Sequence, residues 1–411
     1  MPQIDVLFSN NSHHVAMLAP LVQTLATQSE YQVRVLSLCE FRGLVPPVEK
    51  FQMPGVTFRQ IVPFRFRSPS AGGAQTGEVS RRRFRQLARQ VSWQLLLQRP
   101  LRQSFNQPPD LLILPNDAAF PYNHIVAELQ ARHIPFLLLQ EGIRFPLPNQ
   151  AIQPEVYGGG GAAAIAAWGE NSAAYFRQVG APPERIHITG NPRFDFIRQT
   201  DWQAAATELR TRLPVGQTNL LLLSNPIDDQ GFCTTAEKME LVRRFIIEIA
   251  PLFADPDFRL WIKLHGRESL AEFKAVTASF PFVAQMVVLQ NEPLYPLFKL
   301  ATAAIVLAST VGLEAMLFNL PLGVLEIPGT GFVFDYVSSG AAQGLMWAQP
   351  MLPQIQSLLT PSPDQVITAR QYVQANLAAV GNATQQIVDL VGQLVERAAA
   401  RLLPATLAQA K

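Results

Sequence analysis

The chain has 411 residues, of which 48% are hydrophobic and only 16% are charged. This composition excludes a disordered chain or a fibre, and the length predicts two or three domains, most simply two. Lysine and arginine number 33 against 31 acidic residues, and the resulting net charge of +2 is too small to indicate wholesale nucleic-acid binding. Two cysteines, Cys39 and Cys233, are too few for a disulfide framework or a cysteine-rich zinc site, which fits a reducing cytosol.

The N-terminal residues and the apolar runs indicate how the chain relates to membranes. Met1 to Phe8 contain no basic stretch followed by a long apolar segment, so a cleaved signal peptide is not expected. The chain has no run of about 18 uninterrupted apolar residues, so a spanning helix is not expected either. We therefore expect a cytoplasmic protein, or one bound peripherally at the inner face of a membrane.

Strand and helix patterns alternate in the first half of the chain. Short apolar runs are typical of buried strands, and apolar residues three or four apart are typical of helices. Strands separated by helical crossovers predict a parallel, doubly wound sheet. The predicted strands are Ile4–Ser9, Gln32–Leu38, Leu111–Pro115, Phe136–Gln140, Ile165–Trp168 and Ile186–Thr189, with helices after the first, third and fifth.

The alternation restarts after a polar, helix-prone stretch that follows Asp195. Two α/β units of similar size predict two Rossmann-like domains, residues 1–200 and 201–362, that face a central cleft where ligands bind. Residues 363–411 are predicted to form closing helices that pack across both domains. The strands predicted in the second half are Leu220–Ser224, Phe258–Leu264, a short one near Val287, Ala304–Leu307 and Leu322–Leu325; the helices end at Ile249, begin at Leu294 and span Val311–Phe318.

The segment Arg59–Arg102 has an unusual composition. It contains ten arginines and one acidic residue, Glu78, so it carries +9 in a chain whose net charge is +2. Phenylalanine, tryptophan and leucine alternate with the arginines, a pattern typical of segments that bind an anionic membrane surface or an anionic ligand. A solvated helix with an ordinary packed face would give the same pattern.

The sequence around Ser309 and Thr310 is typical of half a nucleotide site. A predicted strand that ends at Leu307 delivers these residues to a helix N-terminus, where unpaired backbone N–H groups and the helix dipole favour phosphate. With Thr310 as N-cap, Glu314 is the fourth helical residue, one position too deep for a capping box. Its carboxylate is therefore a candidate acceptor for ribose hydroxyls, although an exposed helix carboxylate is the simpler alternative.

The stretch Leu294–Pro321 resembles the nucleotide-sugar half of GT-B glycosyltransferases and of two related families, the UDP-N-acetylglucosamine 2-epimerases and the CDP-glycerol glycerophosphotransferases. The resemblance implies that the amides of Ser309 and Thr310 bind the pyrophosphate and that Glu314 binds the ribose. It also implies an α/β protein of the GT-B class with two Rossmann-like domains.

Four further stretches carry the resemblance in the expected order. The segment Asn10–Leu25 resembles the first loop and helix of the epimerases, and Pro115–Asp117 and His133–Arg144 resemble their Gly-Asp and Glu-Ala-Gly-Leu-Arg strand ends. The segment Arg185–Asp195, which contains Asn191, resembles the end of the N-terminal domain in these families.

The chain also departs from the epimerase pattern. Where epimerases carry a His-Arg-Arg-Glu-Asn motif, this chain has Ser224–Gly231, which contains neither histidine nor arginine. The departure makes epimerase chemistry doubtful and favours group transfer. Ser224 and Asn191 are included in the predicted nucleotide-binding set.

Lys263 and His265 complete the predicted nucleotide site. Side chains alternate along the strand that begins at Phe258, so both emerge on one face at its carboxyl end, where open α/β sheets bind ligands. A cation and a neutral donor suit a diphosphate, and the Lys-Leu-His sequence is similar to the Lys-x-His of CDP-glycerol glycerophosphotransferases. A histidine in an ordinary turn is the alternative.

A transferase without a metal needs a base within hydrogen-bond reach of the attacking hydroxyl. Four residues at predicted strand ends qualify: His13, His14, Asp117 and Glu141. Asp117 and His14 are ranked first, and each could instead hydrogen-bond its own loop. Adjacent Asp228 and Asp229 do not by themselves make a metal site, and no metal is predicted.

These observations predict a metal-independent GT-B glycosyltransferase, or a related group transferase, of polysaccharide, glycolipid or cell-envelope biosynthesis. It would move a sugar from a nucleotide-activated donor, which is a substrate and not a cofactor, to a carbohydrate or lipid-linked hydroxyl. No cofactor and no nucleic-acid partner is expected. The alternatives are an epimerase-like enzyme and a catalytically silent scaffold that binds a nucleotide sugar.

Overall fold

The computed structural model describes residues 1–28, 30–62, 88–145 and 156–402. These residues divide into two compact units. The first contains the described residues up to Gln199 and those from Ala375 onward, and the second runs from Thr200 to Gln374. The segment predicted as 363–411 is therefore divided between the units at Gln374.

A seven-stranded parallel sheet forms the centre of the first unit. Its inner strands are continuous apolar runs buried at every residue, as is typical of strands covered on both faces. The strands are β1 (Gln3–Phe8), β2 (Gln32–Ser37), β3 (Val56–Gln60), β4 (Leu111–Leu114), β5 (Phe136–Leu139), β6 (Ala164–Ala167) and β7 (Ile186–Ile188). Their order across the sheet is β3-β2-β1-β4-β5-β6-β7.

A six-stranded parallel sheet forms the centre of the second unit. Its strands are β8 (Thr218–Leu223), β9 (Phe258–Lys263), β10 (Met286–Leu289), β11 (Ala303–Val306), β12 (Leu322–Leu325) and β13 (Gln343–Leu345). Their order is β10-β9-β8-β11-β12-β13. The strand pairs of both sheets are parallel in every case among the described residues.

Helices cover both faces of the sheets. Several begin at a side-chain cap, and the helix Thr235–Glu248 has a full capping box in which Thr234 and Glu237 bond each other's backbone N–H. The α-helices are α1 (His13–Thr27), α2 (Gln98–Ser104), α3 (Tyr122–Ala131), α4 (Glu170–Gln178), α5 (Asp195–Gln199), α6 (Trp202–Arg210), α7 (Thr235–Glu248), α8 (Leu270–Ala278), α9 (Leu294–Leu300), α10 (Val311–Leu317), α11 (Met351–Leu359), α12 (Pro363–Asn376) and α13 (Ala383–Leu402). Single 3-10 turns are Glu40–Arg42, Val48–Lys50, Pro183–Arg185, Pro192–Phe194, Ala250–Ala254 and Val283–Gln285.

The last helix belongs to the core of the first unit. Ile387 and Val391 of α13 pack with Leu18 and Leu21 of α1 in one buried cluster on one face of the sheet. The loop after β7 approaches this region so closely that a Cβ on Gly190 would lie 2.2 Å from the carbonyl oxygen of Ala378. Glycine is therefore required at this position, where its φ is also +75°.

The strand order explains where ligands are expected. In each sheet the chain order reverses once, between β1 and β4 in the first unit and between β8 and β11 in the second. The loops that follow two such strands run to opposite faces, and the crevice between them is the usual ligand site of open α/β sheets. The carboxyl ends of these four strands therefore define two candidate sites.

The structure confirms the predicted α/β class and most of the predicted elements. Two edge strands, β3 and β13, were not predicted. No helix in the described part of the chain has both the length and the apolarity needed to cross a membrane.

Candidate functional site

His14, Asn116 and Glu141 come together at the carboxyl edge of the first sheet. They follow β1, β4 and β5, so the reversal of strand order brings their loops side by side. The Glu141 carboxylate accepts a hydrogen bond from His14 Nε2 on one oxygen and from Asn116 Nδ2, at 2.6 Å, on the other. Asn116 was not predicted, although it directly precedes Asp117 in the sequence.

The hydrogen bonds around His14 define its tautomer. Its Nδ1 lies 3.3 Å from the backbone N–H of Ser9, which can only donate. A ring that carries one proton therefore holds it on Nε2, which donates to Glu141. Because both ring nitrogens are engaged and the side chain is only 5% exposed, His14 orients Glu141 and does not itself face a substrate.

Glu141 is the accessible member of this group, with 31% of its side chain exposed. Its backbone is held by Tyr157, whose hydroxyl accepts from Glu141 N at 2.8 Å and donates to Pro115 O at 3.1 Å. Burial alone would raise the pKa of Glu141, but the hydrogen bonds from His14 and Asn116 and the nearby positive charge, which includes that of Arg144, outweigh it and hold that pKa below its ordinary value. Glu141 is therefore an ionised, oriented carboxylate at neutral pH.

Asp117 has a different environment. Both of its carboxylate oxygens accept backbone N–H groups, from Gly158 and Gly160, each at 2.8 Å. A Cβ on Gly160 would lie 2.7 Å from Asp117 Oδ2, so the loop packs directly on the carboxylate. The side chain is buried, and burial raises its pKa despite these hydrogen bonds. The residue ranked first as a base is thus the anchor of the four-glycine run Gly158–Gly161.

His13 and Asn191, the other predicted residues of the first unit, form hydrogen bonds with different partners from those of Glu141. His13 is exposed, and its Nδ1 lies 3.4 Å from Arg193 Nη1. Asn191, predicted to bind the nucleotide, is buried; its Oδ1 accepts from Arg193 N and its Nδ2 donates to Gln140 O. Asn191 therefore caps a turn in the first unit, whereas the other predicted nucleotide residues belong to the second.

In the second unit, Ser224 and His265 are joined by a residue that the sequence did not single out. The buried Glu268 accepts from Ser224 Oγ at 2.7 Å and from the backbone N–H of His265 at 2.8 Å. Lys238 balances the charge, with Nζ 3.3 Å from Glu268 and 2.7 Å from Asp228. Glu268 therefore links the carboxyl ends of β8 and β9 by hydrogen bonds. Asp228 forms an ion pair with Lys238.

His265 and Lys263 present donors at the end of β9. His265 Nδ1 accepts from the Arg267 backbone N–H at 3.2 Å, which assigns the ring proton to Nε2, and burial lowers the pKa of His265. Lys263 Nζ uses two of its three N–H groups on Leu264 O and Gln290 O, and burial lowers the pKa of Lys263 as well. These contacts therefore leave two donors unused, the Nε2–H of His265 and one N–H of the Lys263 ammonium group.

Ser309, Thr310 and Glu314 lie at the end of β11 and the start of α10. Thr310 is the N-cap, as predicted, and Ser309 Oγ accepts from Val311 N at 3.3 Å. Glu314 is only 1% exposed and accepts a hydrogen bond from the Tyr295 hydroxyl at 2.7 Å. Glu314 is therefore not the exposed helix carboxylate given as the alternative, because the ring of Tyr295 is stacked on Phe318 and its hydroxyl is directed at this carboxylate.

Six of the ten arginines of the Arg59–Arg102 segment lie between residues 63 and 87, outside the described residues. Of the others, Arg102 pairs with Glu128 at 2.7 Å, and Arg89 lies 5.9 Å from the Phe120 ring centroid.

Comparisons with known proteins agree with this fold. No protein-family model and no curated protein matches the sequence. Solved structures do match: MnaA of S. aureus with UDP (TM-score 0.62, 14% identity, 96% of this chain and 97% of that one) and the UDP-GlcNAc 2-epimerase of Neisseria meningitidis with UDP-GlcNAc (0.62, 14%, 95% and 100%). The wall teichoic acid polymerase TagF, in a structure soaked with CDPG, also matches (0.54, 12%, 96% and 89%). The chain therefore has the GT-B-like fold of these proteins, and the resemblance inferred from the sequence is confirmed at the level of the fold.

Proposed function

We propose that the protein is a nucleotide-sugar enzyme that transfers a sugar to a hydroxyl acceptor, with Glu141 as the base. The observation that carries this proposal is the ionised, partly exposed Glu141 carboxylate, oriented by His14 and Asn116 at the strand-order reversal of the first sheet. An oriented carboxylate within reach of a hydroxyl can take its proton as the oxygen attacks. Proteins with this fold were solved with UDP, with UDP-GlcNAc or after a soak with CDPG, which supports a nucleotide-linked donor.

The proposed reaction needs two groups of residues. The acceptor oxygen forms a bond to the anomeric carbon of the donor while the bond from that carbon to the diphosphate oxygen breaks, and the hydroxyl proton passes to Glu141. The departing diphosphate gains charge, which His265 Nε2–H, Lys263 and the amides of Ser309 and Thr310 would stabilise. Fixed donors of this kind can serve where no metal takes part, as the sequence predicts for this chain.

An epimerase-like enzyme is the second candidate. One of the structures described above is a UDP-GlcNAc 2-epimerase, and another, MnaA, was solved with UDP. An acid or base beside the sugar would be needed there too, and Glu141 could serve. The sequence Ser224–Gly231 in place of the His-Arg-Arg-Glu-Asn motif favours transfer. The two candidates share nucleotide binding and differ in the product.

A thermal-shift panel of UDP-, CDP-, GDP- and CMP-sugars tests the shared part. A ligand that binds the native state raises the melting temperature, so at least one nucleotide sugar should do so. If no member of the panel shifts the transition, the proposed function is refuted.

Lys263→Ala tests the donor side of the proposal. Loss of a charge-assisted contact should weaken affinity for the stabilising nucleotide by about 1.5–3 kcal/mol, measured by titration calorimetry. Lys274→Ala removes an exposed lysine of α8 and is the matched control. Equal affinity in the two variants would remove Lys263 from the site.

A further inference from the structure

The helix that leads into α2 exposes apolar side chains. Residues 88–92, the π-helical turn Trp93–Leu97 and α2 form one continuous helix, here called the 88–104 helix. Trp93, Leu97 and Leu101 bury one face of it in the core of the first unit. Leu95 is 75% exposed, the largest exposed fraction among the large apolar side chains of the described residues, and Val91 is 45% exposed.

Val91, Leu95 and Arg99 lie along one face of the 88–104 helix. Positions 91, 95 and 99 are four apart, so on a helix they follow one face, and Arg99 is exposed at the end of that line. The π-helical turn contains Leu95; such turns are rare and occur frequently at functional sites. The exposed face therefore combines leucine and valine with arginine.

The charge of the surrounding sequence indicates which kind of partner the exposed face of the helix binds. The chain has no acidic residue between Glu78 and Asp110, while Arg59–Arg102 carries +9. The exposed charged side chains of the 88–104 helix are all arginines, such as Arg89 and Arg99. A face of this kind with projecting apolar side chains complements an anionic lipid bilayer, where arginines bind headgroups and leucine enters the region beneath them. The buried face of the helix holds it in place, so the exposed face would lie flat on the surface.

We propose that the 88–104 helix is a membrane-contact site for anionic lipid, with Leu95 and Val91 inserted and Arg99 on the headgroups. The inference deepens the proposed function, since it would bring the enzyme to a lipid-linked acceptor. It fails separately from that function, because the nucleotide thermal shift is measured without lipid.

Sedimentation with vesicles tests the proposal on the full chain. Wild-type protein should sediment with vesicles of equal parts phosphatidylglycerol and phosphatidylcholine at low ionic strength, and much less at high ionic strength or with phosphatidylcholine alone. Leu95→Gln should weaken binding about tenfold, because it removes an inserted apolar side chain. Arg99→Gln should weaken it roughly fivefold.

Ile367→Gln is the matched control, because Ile367 is 52% exposed on α12 of the second unit and should not affect vesicle binding. Circular dichroism and the nucleotide thermal shift should be unchanged in all three variants, since none of these side chains is buried. The proposal is overturned if wild-type protein does not sediment with the anionic vesicles. It is equally overturned if Leu95→Gln and Arg99→Gln bind like wild type, even where replacing Arg81, Arg82, Arg83 and Arg85 by glutamine abolishes binding.

Discussion

Asp117 and Glu141 follow neighbouring parallel strands of one sheet and carry the same charge, but their surroundings give them different roles. Asp117 is buried, and both of its carboxylate oxygens accept hydrogen bonds from the backbone N–H groups of Gly158 and Gly160. Glu141 accepts from two side chains and keeps 31% of its own side chain exposed. The pKa of Asp117 is raised by burial, whereas that of Glu141 is lowered by its hydrogen bonds and by Arg144. A carboxylate at a strand end is therefore a candidate base only when it is partly exposed and its oxygens are not both bonded to the backbone.

The largest expected effect is on the rate of Glu141→Gln. Glutamine keeps the size of the side chain but cannot accept a proton, so turnover should fall by about 10²–10⁴-fold. The affinity for the nucleotide sugar should change little, because the residue belongs to the other unit from the predicted nucleotide residues. The amide leaves one of the two donors, His14 Nε2–H or Asn116 Nδ2–H, without its acceptor, so turnover is compared per folded molecule. Turnover within a factor of about three of wild type would contradict the assignment of the base.

Asp117→Asn should affect stability more than catalysis. An asparagine amide offers one acceptor oxygen where two are used, so the N–H of Gly158 or Gly160 would lose its partner. We expect the free energy of unfolding, measured by urea titration, to fall by about 1–3 kcal/mol. Activity per folded molecule should stay close to wild type. A dead but fully stable Asp117→Asn protein would reverse the comparison and restore Asp117 as the base.

The smallest effect concerns pH and His14. A carboxylate whose pKa is lower in the folded state contributes stability above its unfolded pKa and loses it as pH falls through the folded pKa. His14→Ala removes a hydrogen bond that lowers the pKa of Glu141, so that pKa should rise. The acid limb of the pH–rate profile and acid unfolding should then both move to higher pH. His133→Ala, at an exposed loop histidine, is the control and should leave both curves in place. Unmoved curves in His14→Ala would show that His14 does not act on Glu141.

The central strands could be predicted because they are covered on both faces and read as short apolar runs, such as Leu111–Leu114 and Phe136–Leu139. Two of the four edge strands, β3 and β13, could not. Val56–Gln60 is largely exposed and polar, and Gln343–Leu345 has only three residues, so neither gives an apolar run.

Candidate bases could be named from the sequence for the same reason. Parallel strands end at one edge, so residues just after β1, β4 and β5 lie near one another, as His14 and Glu141 do. The difference between Asp117 and Glu141 depends on Gly158 and Gly160, more than forty residues along the chain from Asp117, and no local pattern indicates that contact. Likewise, the burial of Glu314 depends on Tyr295 of another helix.

The most direct test of the account is the product formed by the wild-type protein. The nucleotide sugar that gives the largest thermal shift would be incubated with the enzyme and hydroxyl acceptors, and the mixture followed by proton and phosphorus NMR. Sugar transfer predicts release of the nucleotide diphosphate together with a new glycosidic bond, in a sugar whose configuration at C2 is unchanged. Inversion at C2, on the nucleotide or in the released sugar, would contradict transfer and establish the epimerase-like alternative.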